Sequence, residues 1–256
     1  MTSRAARAAA LLALLAAAPA AAYLLPGPAV LRRLAQRRAD LGLSSLEVRG
    51  TFVLTGEAAR AAAGVTGLQL LGNEISAPAT LSIKMPGRCR LELSPLDAPE
   101  SERPAVVVKQ GRISGVRGLD RVAPAAALAR GVCALLGERP GGPEPARPYV
   151  EELARLGVAI EEVALGRLGG RTAYVIGARP SERRPQASVD KPSFQPLRVI
   201  STLASGLHDV RLIDFGSPTG GDWFPRAVEV YEGAEMRARL TTEKAAANPR
   251  ISDALF

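Results

Sequence analysis

The stretch that decides the fold is residues 80–93, TLSIKMPGRCRLEL. On both sides of Pro86-Gly87, apolar and polar residues alternate with a period of two, which predicts strands with one buried face. A Pro-Gly pair between two such runs predicts a tight turn. The apolar positions are Leu81, Ile83, Met85, Cys89, Leu91 and Leu93. The stretch therefore predicts an antiparallel hairpin and a fold built largely from antiparallel strands.

Similar strand patterns lie on both sides of this hairpin. Turn residues such as Gly169-Gly170 separate the runs and indicate further hairpins. The stretch 179–193 is polar and rich in proline, so it is expected to be an exposed connection. The other predicted strands are 46–55, 68–75, a hairpin over 106–116, and then 158–168, 172–178, 196–202, 207–215, 224–231 and 235–244.

Helices are predicted at the start of the chain and in its middle. Residues 28–41 place an apolar stripe on one side and arginines elsewhere, the pattern of an amphipathic helix. Residues 119–136 are rich in Ala and Leu, and Pro124 suits the first turn of a helix there. A loop at 139–148 separates this helix from a shorter one at 149–156.

The order of these elements indicates the fold class. About five strands precede a helical insertion around 119–157, and about six follow it. A sheet with a wide apolar face closes into a barrel or curves around other elements, and here the central helices are the natural cover. The expected fold is mainly β (α+β), with about 10–11 strands and residues 23–256 in a single domain.

The first 22 residues have the pattern of a secretory signal peptide. Arg4 and Arg7 precede an Ala/Leu run at 8–18, and Ala20-Ala21-Ala22 offers a small-residue cleavage site. The alternative is an uncleaved anchor, but the apolar run is shorter than the roughly 20 residues that span a bilayer. The mature chain is expected to be periplasmic, soluble and to start near Tyr23.

The charge of the chain limits the classes of partner. The whole sequence carries a formal charge of +8, and removal of Arg4 and Arg7 leaves +6. Such an excess suits anionic lipid surfaces or an acidic partner, and it is also common on a plain solvated surface. Because no basic block is interleaved with aromatic residues, nucleic acid is not an expected partner.

The two cysteines allow two interpretations. In an oxidising compartment Cys89 and Cys133 could pair and constrain the intervening chain. The alternative is two buried free thiols that pack as small hydrophobic side chains. The sequence leaves both open, because it does not show whether the two Cα atoms come within reach.

The sequence offers little for catalysis. His208 is the only histidine, and a surface imidazole is its expected role, since a lone histidine lacks the nucleophile and orienting group of a triad. Asp209, Asp214 and Asp222 fall in different strand and turn contexts, where capping of turns is expected. No catalytic motif, metal-spaced Cys/His set or phosphate loop is present. No catalytic residue, metal or cofactor is therefore expected, and the chain is interpreted as a binding protein and not an enzyme.

Several segments together resemble the LolA-like periplasmic lipoprotein carriers. KMPGRCRLEL at 84–93 is similar to that family's hairpin with a proline turn, and VVVKQGRISGV at 106–116 to the strand pair that follows it. The later matches are GRLGGRTAYVIGA at 166–178, DKPSFQPLRVI at 190–200 and DWFPRAVEVYEG at 222–233. These similarities span about four-fifths of the mature chain, and their order carries the resemblance.

The resemblance implies an incomplete antiparallel barrel whose concave apolar face, covered by helices, shelters acyl chains of lipoproteins or other lipids. An inner-membrane donor complex and an outer-membrane acceptor are then expected partners of a monomer. Strand alternation and the apolar stripe of the central helix select the residues of such a cavity. The expected lining is Phe52, Leu54, Leu81, Ile83, Leu91, Leu93, Leu212, Val228 and Val230, with Leu128 and Leu135 on the lid.

Two alternatives remain for these residues and for the chain. The lining residues could form an ordinary packed core with no room inside. The same fold also serves in envelope regulators that bind a partner protein, for which Trp223, Phe224 and Tyr231 are candidate anchors. Packing at strand ends is the more ordinary role of these three aromatic side chains.

The leader makes a prediction about the mature protein. Because signal peptidase cuts after small residues, protein recovered from the periplasm should begin close to Tyr23. N-terminal sequencing of the soluble periplasmic fraction checks this. An intact Met1 on protein held in the cell envelope would contradict it.

Overall fold

The structure is a computed structural model that describes residues 24–95 and 99–256. The predicted leader and Tyr23 lie outside the described residues. Within those ranges, none of the helices combines the length and the apolar character that crossing a bilayer requires.

Twelve antiparallel strands form a single open sheet. The strands of the first half are β1 (Ser45–Thr55), β2 (Glu74–Lys84), β3 (Arg88–Leu93), β4 (Ala105–Lys109) and β5 (Arg112–Val116). Those of the second half are β6 (Val163–Leu168), β7 (Arg171–Ile176), β8 (Gln186–Asp190), β9 (Pro196–Leu203), β10 (Gly206–Ile213), β11 (Ala227–Glu232) and β12 (Glu235–Ala247).

The sheet is two meanders joined in the middle. Its strand order is β5-β4-β3-β2-β1-β12-β11-β10-β9-β8-β7-β6, so β5 and β6 are the edges and no pairing closes them. The hairpin at 80–93 has the predicted register, with Ser82 opposite Arg90 and Leu81 opposite Leu91. The predicted incomplete antiparallel barrel is confirmed, with twelve strands instead of the expected 10–11.

Within the described residues, four α-helices accompany the sheet: α1 (Gly27–Ala39), α2 (Gly56–Thr66), α3 (Ala123–Leu136) and α4 (Arg147–Arg155). The predicted helix over 119–136 is divided, because a 3-10 turn at Leu119–Arg121 precedes α3. Helices α3 and α4 lie between β5 and β6 in the sequence, in the region of the expected insertion.

Helix α3 occupies the concave side of the sheet and is buried on nearly every face. It contacts strands of both halves, among them β3, β4, β9 and β10. A Cβ added at Gly131 would lie 2.9 Å from a methyl group of Val210 and 3.1 Å from one of Val199. The small residues of α3 therefore let the helix approach the sheet closely.

The region between β1 and β2 differs from the prediction. The strand expected at 68–75 is wrong: α2 precedes this segment, and β2 begins only at Glu74. Ala58, Ala59 and Ala62 are buried at helical spacing, and Gly67 ends the helix with a left-handed φ of 73°. These small alanine side chains let the helix pack against the sheet, so the segment lacks the stripe of large apolar residues by which a helix is usually predicted.

The stretch 179–193 also differs from the prediction that it is exposed. It contains β8, whose five residues are all buried between β7 and β9. Its polar side chains find partners that the local sequence does not reveal. Asp190 accepts a hydrogen bond from Arg171 at 3.0 Å, and the Gln186 side-chain amide donates to the Glu182 carbonyl at 2.8 Å. A buried polar side chain is tolerated when it is hydrogen-bonded in this way.

A disulfide between Cys89 and Cys133 attaches α3 to β3, with the two Cα atoms 5.8 Å apart. Beside it, the Gly87 amide donates a hydrogen bond of 2.9 Å to the Gly137 carbonyl. The C-terminal end of α3 is thus attached to the β2–β3 hairpin by a covalent bond and a backbone hydrogen bond.

Removal of the disulfide should destabilise the fold. The bond closes a loop between residues 44 apart in sequence, worth about 4 kcal/mol in the chain-entropy account. Changing both Cys89 and Cys133 to Ala should lower the free energy of unfolding in urea by about that amount. Peptide mapping without reductant checks the bond itself, and two freely alkylated thiols in oxidised native protein would contradict it.

Candidate functional site

The residues expected to line a cavity come together in one apolar cluster under α3. The nine strand residues and the two helix residues are each at most 3% exposed. They come from β1, β2 and β3 on one side and from β10 and β11 on the other, with Leu128 and Leu135 on α3 between them. That they line a cavity for a ligand stays a prediction.

The apolar cluster reaches the surface at a groove of about 540 Å³, here called the mouth groove. Ile75 and Ala77 line this groove and also belong to the apolar cluster, against which Leu68 packs. Its full lining is Thr66, Gly67, Leu68, Gln69, Leu71, Ile75, Ser76, Ala77, Pro78, Pro95, Pro99, Glu102, Pro104 and Arg117. The groove therefore shares two wall residues with the apolar cluster.

Local structure around α2 places an exposed leucine in the mouth groove. The helix ends at Gly67, and an antiparallel bridge between Leu71 and Glu74 turns the chain into β2. Leu71, which lines the groove, is left 64% exposed. Isolated exposed apolar residues are ordinary, whereas an exposed leucine inside a groove offers apolar contact to a ligand.

The rim of the mouth groove carries one ion pair. Arg117 and Glu102 both line the groove and pair with each other, with about half of each side chain exposed. An ion pair this exposed contributes little to stability, and its charges cancel.

Buried charges gather at the opposite, C-terminal end of α3. Burial and, to a smaller extent, the nearby Glu152 carboxylate raise the pKa of Glu138 to about 7, while Arg155 opposes both effects. Burial also raises the pKa of Tyr149 to about 12 and lowers the pKa of Arg38. Arg38 donates to the Trp223 carbonyl at 3.1 Å. The packing of this cluster therefore depends on the ionisation of its members, and it lies at the end of α3 that the disulfide attaches to β3.

The acidic residues singled out in the sequence are in separate ion pairs. Asp209 accepts from Arg198 at 2.6 Å, and Asp214 accepts from Arg226 at 2.7 Å. Asp222 pairs with Arg37, 3.3 Å away.

The expectation of a surface histidine is wrong. His208 is 1% exposed, because its side chain points from β10 into the half-barrel, two residues before the buried Val210. The predicted strand over 207–215 already contains His208, and alternation with Val210 and Leu212 places it on the buried face of β10. The sequence interpretation missed this because it treated a polar residue next to a turn as exposed.

The three candidate anchors for a partner protein do not share one exposed surface. Phe224 is fully buried, which corresponds to packing at a strand end. Trp223 is 36% exposed, and the Tyr231 ring lies under the Arg211 guanidinium, 4.0 Å from its centre. Among the described residues, no group of three or more His, Cys, Asp or Glu side chains is placed to hold a metal ion.

No protein-family model and no curated protein matches the chain. Among solved structures, it matches a LolA superfamily protein from Nitrosomonas europaea with 12% identity and a TM-score of 0.46, over 91% of this chain and 97% of that one. An outer membrane lipoprotein-sorting protein domain from Vibrio parahaemolyticus matches with 12% identity and a TM-score of 0.46, over 88% and 94%.

MucB, solved in complex with MucA(peri), matches with 17% identity and a TM-score of 0.27, over 89% of this chain and 58% of that one. LolA superfamily structures are thus among the matches, as the sequence resemblance predicts. Likenesses of this size say nothing about what this chain binds.

Protonation of Glu138 should make stability depend on pH. Because its pKa in the folded chain is about 7, above the ordinary 4.5, the folded state holds this proton more tightly than the unfolded state. The contribution of this group to stability should therefore be fully present below pH 4.5 and be lost as the pH rises through 7. We expect a loss of about 2 kcal/mol, less than the pKa alone implies, because the carboxyl borders an open cleft where water screens it.

Urea unfolding at several pH values measures this dependence. Glu138→Gln should remove it, whereas Glu144→Gln, at an exposed position of the same loop, should leave it unchanged. An unaltered pH dependence in Glu138→Gln would show that another group is responsible.

Proposed function

We propose that this chain is a periplasmic carrier that shelters acyl chains of lipoproteins or other lipids in the apolar interior of the half-barrel. The observation that carries the proposal is the mouth groove, whose walls include Ile75 and Ala77 of the apolar cluster. Acyl chains enter there and continue towards the residues under α3.

The hydrophobic effect supplies the driving force for such binding. Each sheltered methylene gains about 0.8 kcal/mol relative to water, so ten of them gain roughly 8 kcal/mol before the costs of association. A carrier of this kind needs an apolar site and no reactive group for the transfer itself.

Entry of an acyl chain requires α3 to move away from the sheet. The two ends of this helix are attached to the sheet by different contacts. The disulfide and the Gly137 carbonyl fix the C-terminal end to the β2–β3 hairpin. The N-terminal end follows the 3-10 turn at Leu119–Arg121, close in sequence to Arg117 of the mouth groove. Movement at this end opens space next to the groove while the other end stays attached.

The carrier proposal implies two exchange partners, an inner-membrane donor complex and an outer-membrane acceptor, and a monomer that moves between them. The alternative is an interaction module that binds a partner protein. The close packing of α3 against both halves of the sheet favours this second function, because a filled interior leaves no space for a ligand.

Leu71 offers a test of the mouth groove that leaves the core untouched. Leu71→Glu should lower the affinity for a fluorescent fatty acid about tenfold, because a charged side chain at the entrance replaces apolar contact worth about 1.5 kcal/mol. The matched control is Leu165→Glu, a 37% exposed leucine on the edge strand β6. Titration and thermal melting are measured on the same samples.

Two results would count against the proposal. Equal affinity of Leu71→Glu and the control would remove the mouth groove as the entrance. A wild-type chain that shows no saturable fatty-acid binding, and no lipid in native mass spectrometry after purification from a periplasm, would favour the interaction module.

A further inference from the structure

Three polar side chains meet at one end of the second half of the sheet. Ser205 Oγ lies 2.8 Å from His208 Nε2, and His208 Nδ1 lies 3.4 Å from a carboxylate oxygen of Glu232. Hydroxyl, imidazole and carboxylate thus follow one another in the order of a hydrolytic triad, each on the required nitrogen. The site is formed by β9–β11 and is separate from the mouth groove.

Strand pairing explains this arrangement. Ala204 and Ser205 form the tip of the two-residue turn between β9 and β10, since Leu203 pairs with Gly206. His208 follows on β10, and Glu232 is the last residue of the neighbouring β11. Ser205 is exposed, whereas the imidazole is 1% exposed, so a reactant reaches the hydroxyl and not the ring directly.

The surroundings of His208 suit a general base. Burial lowers its pKa below the ordinary value of 6.5, with Glu232 acting in the opposite direction, so the ring is neutral at pH 7. A carboxylate beside Nδ1 favours the hydrogen on that nitrogen, which leaves the lone pair of Nε2 facing Ser205. Nδ1 makes no hydrogen bond in the described chain, and a rotation of the half-exposed Glu232 side chain shortens the 3.4 Å gap.

One basic group lies beside the Glu232 carboxylate. Arg237 Nε lies 3.4 Å from its second oxygen, and Arg237 also pairs with Glu235. Ser201 lies opposite His208 on β9, and its buried hydroxyl has no partner in the described chain. Charged groups of both signs therefore lie on the side of the ring that faces Glu232.

We propose that Ser205, His208 and Glu232 form a site that hydrolyses small carboxylic esters, with Ser205 as nucleophile, His208 as general base and Glu232 as the positioning residue. Ser205 lies on an exposed turn, where a small ester can approach its hydroxyl directly. The turn amides of Ala204 and Ser205 donate to no group in the described chain, so they are free to stabilise a developing oxyanion.

The reaction balances with water as the second reactant. Ser205 Oγ adds to the ester carbonyl carbon while its proton moves to His208 Nε2. The bond from that carbon to the alcohol oxygen breaks, and the alcohol leaves with the proton from Nε2. Water then adds to the acyl-serine by the same route, which releases the carboxylic acid and restores Ser205.

The test uses the full chain with p-nitrophenyl acetate and a fluorophosphonate probe whose attachment site is mapped by mass spectrometry. Ser205→Ala should lower the hydrolysis rate at least a hundredfold and abolish labelling. Ser181→Ala, at another exposed loop serine, is the control and should behave as wild type. The wild-type rate should rise with pH through a pKa below 6.5 and then level off.

The remaining variants separate positioning from folding. Glu232→Gln should shift the pH profile, and Glu232→Asp should restore part of the rate, which a merely structural role would not do. Because His208 is buried, His208→Gln is assessed only if its melting temperature matches that of wild type. Ser205→Ala changes an exposed residue and should fold normally, so its rate tests the proposal by itself. Equal rates in Ser205→Ala and wild type, or no probe on Ser205, would overturn the proposal.

Discussion

The pairing of β1 with β12 holds the two halves of the sheet together. Residues near the start and the end of the described chain form the central strand pair, for instance Phe52 opposite Leu240 and Leu54 opposite Ala238. The register shifts between Arg49 and Gly50, where a Cβ added at Gly50 would lie 1.9 Å from the Thr241 carbonyl oxygen. Without this contact each meander would have another open edge, and the concave face that receives α3 would not exist.

The two ends of helix α3 are attached to the half-barrel by different kinds of contact. At its C-terminal end a disulfide, a backbone hydrogen bond and the Glu138 cluster act on one short segment. Near its N-terminal end, a 3-10 turn follows the strand that ends beside Arg117 of the mouth groove. Any conformational change of this helix is therefore easier at the end next to the groove, because fewer strong contacts need to break there.

Alternation along the sequence predicts the strands and their buried faces well, because apolar residues in a strand mark its buried face and polar residues its exposed face. The nine buried strand residues among the candidates follow from it, whereas Leu128 and Leu135 follow from the apolar stripe of the central helix. Helix α2 was missed because alanines spaced for a helix carry little apolar signal, and β8 because its buried polar residues rely on partners such as Arg171. The neighbours of His208 also escaped prediction, since Glu232 is 24 residues away and only strand pairing brings it near.

Helix α3 covers the apolar face on which acyl chains are proposed to bind. If acyl chains enter as proposed, they compete with α3 for the same apolar surface. Only the fraction of protein molecules in which α3 has moved away from the sheet then binds an acyl chain. The observed affinity is then lower than that of an open cavity by this fraction. Such a reduction suits transport, because a carrier has to release its cargo. The alanines and Gly131 of α3 have small side chains, so a ligand that displaces this helix replaces less apolar contact than it would with leucines at these positions.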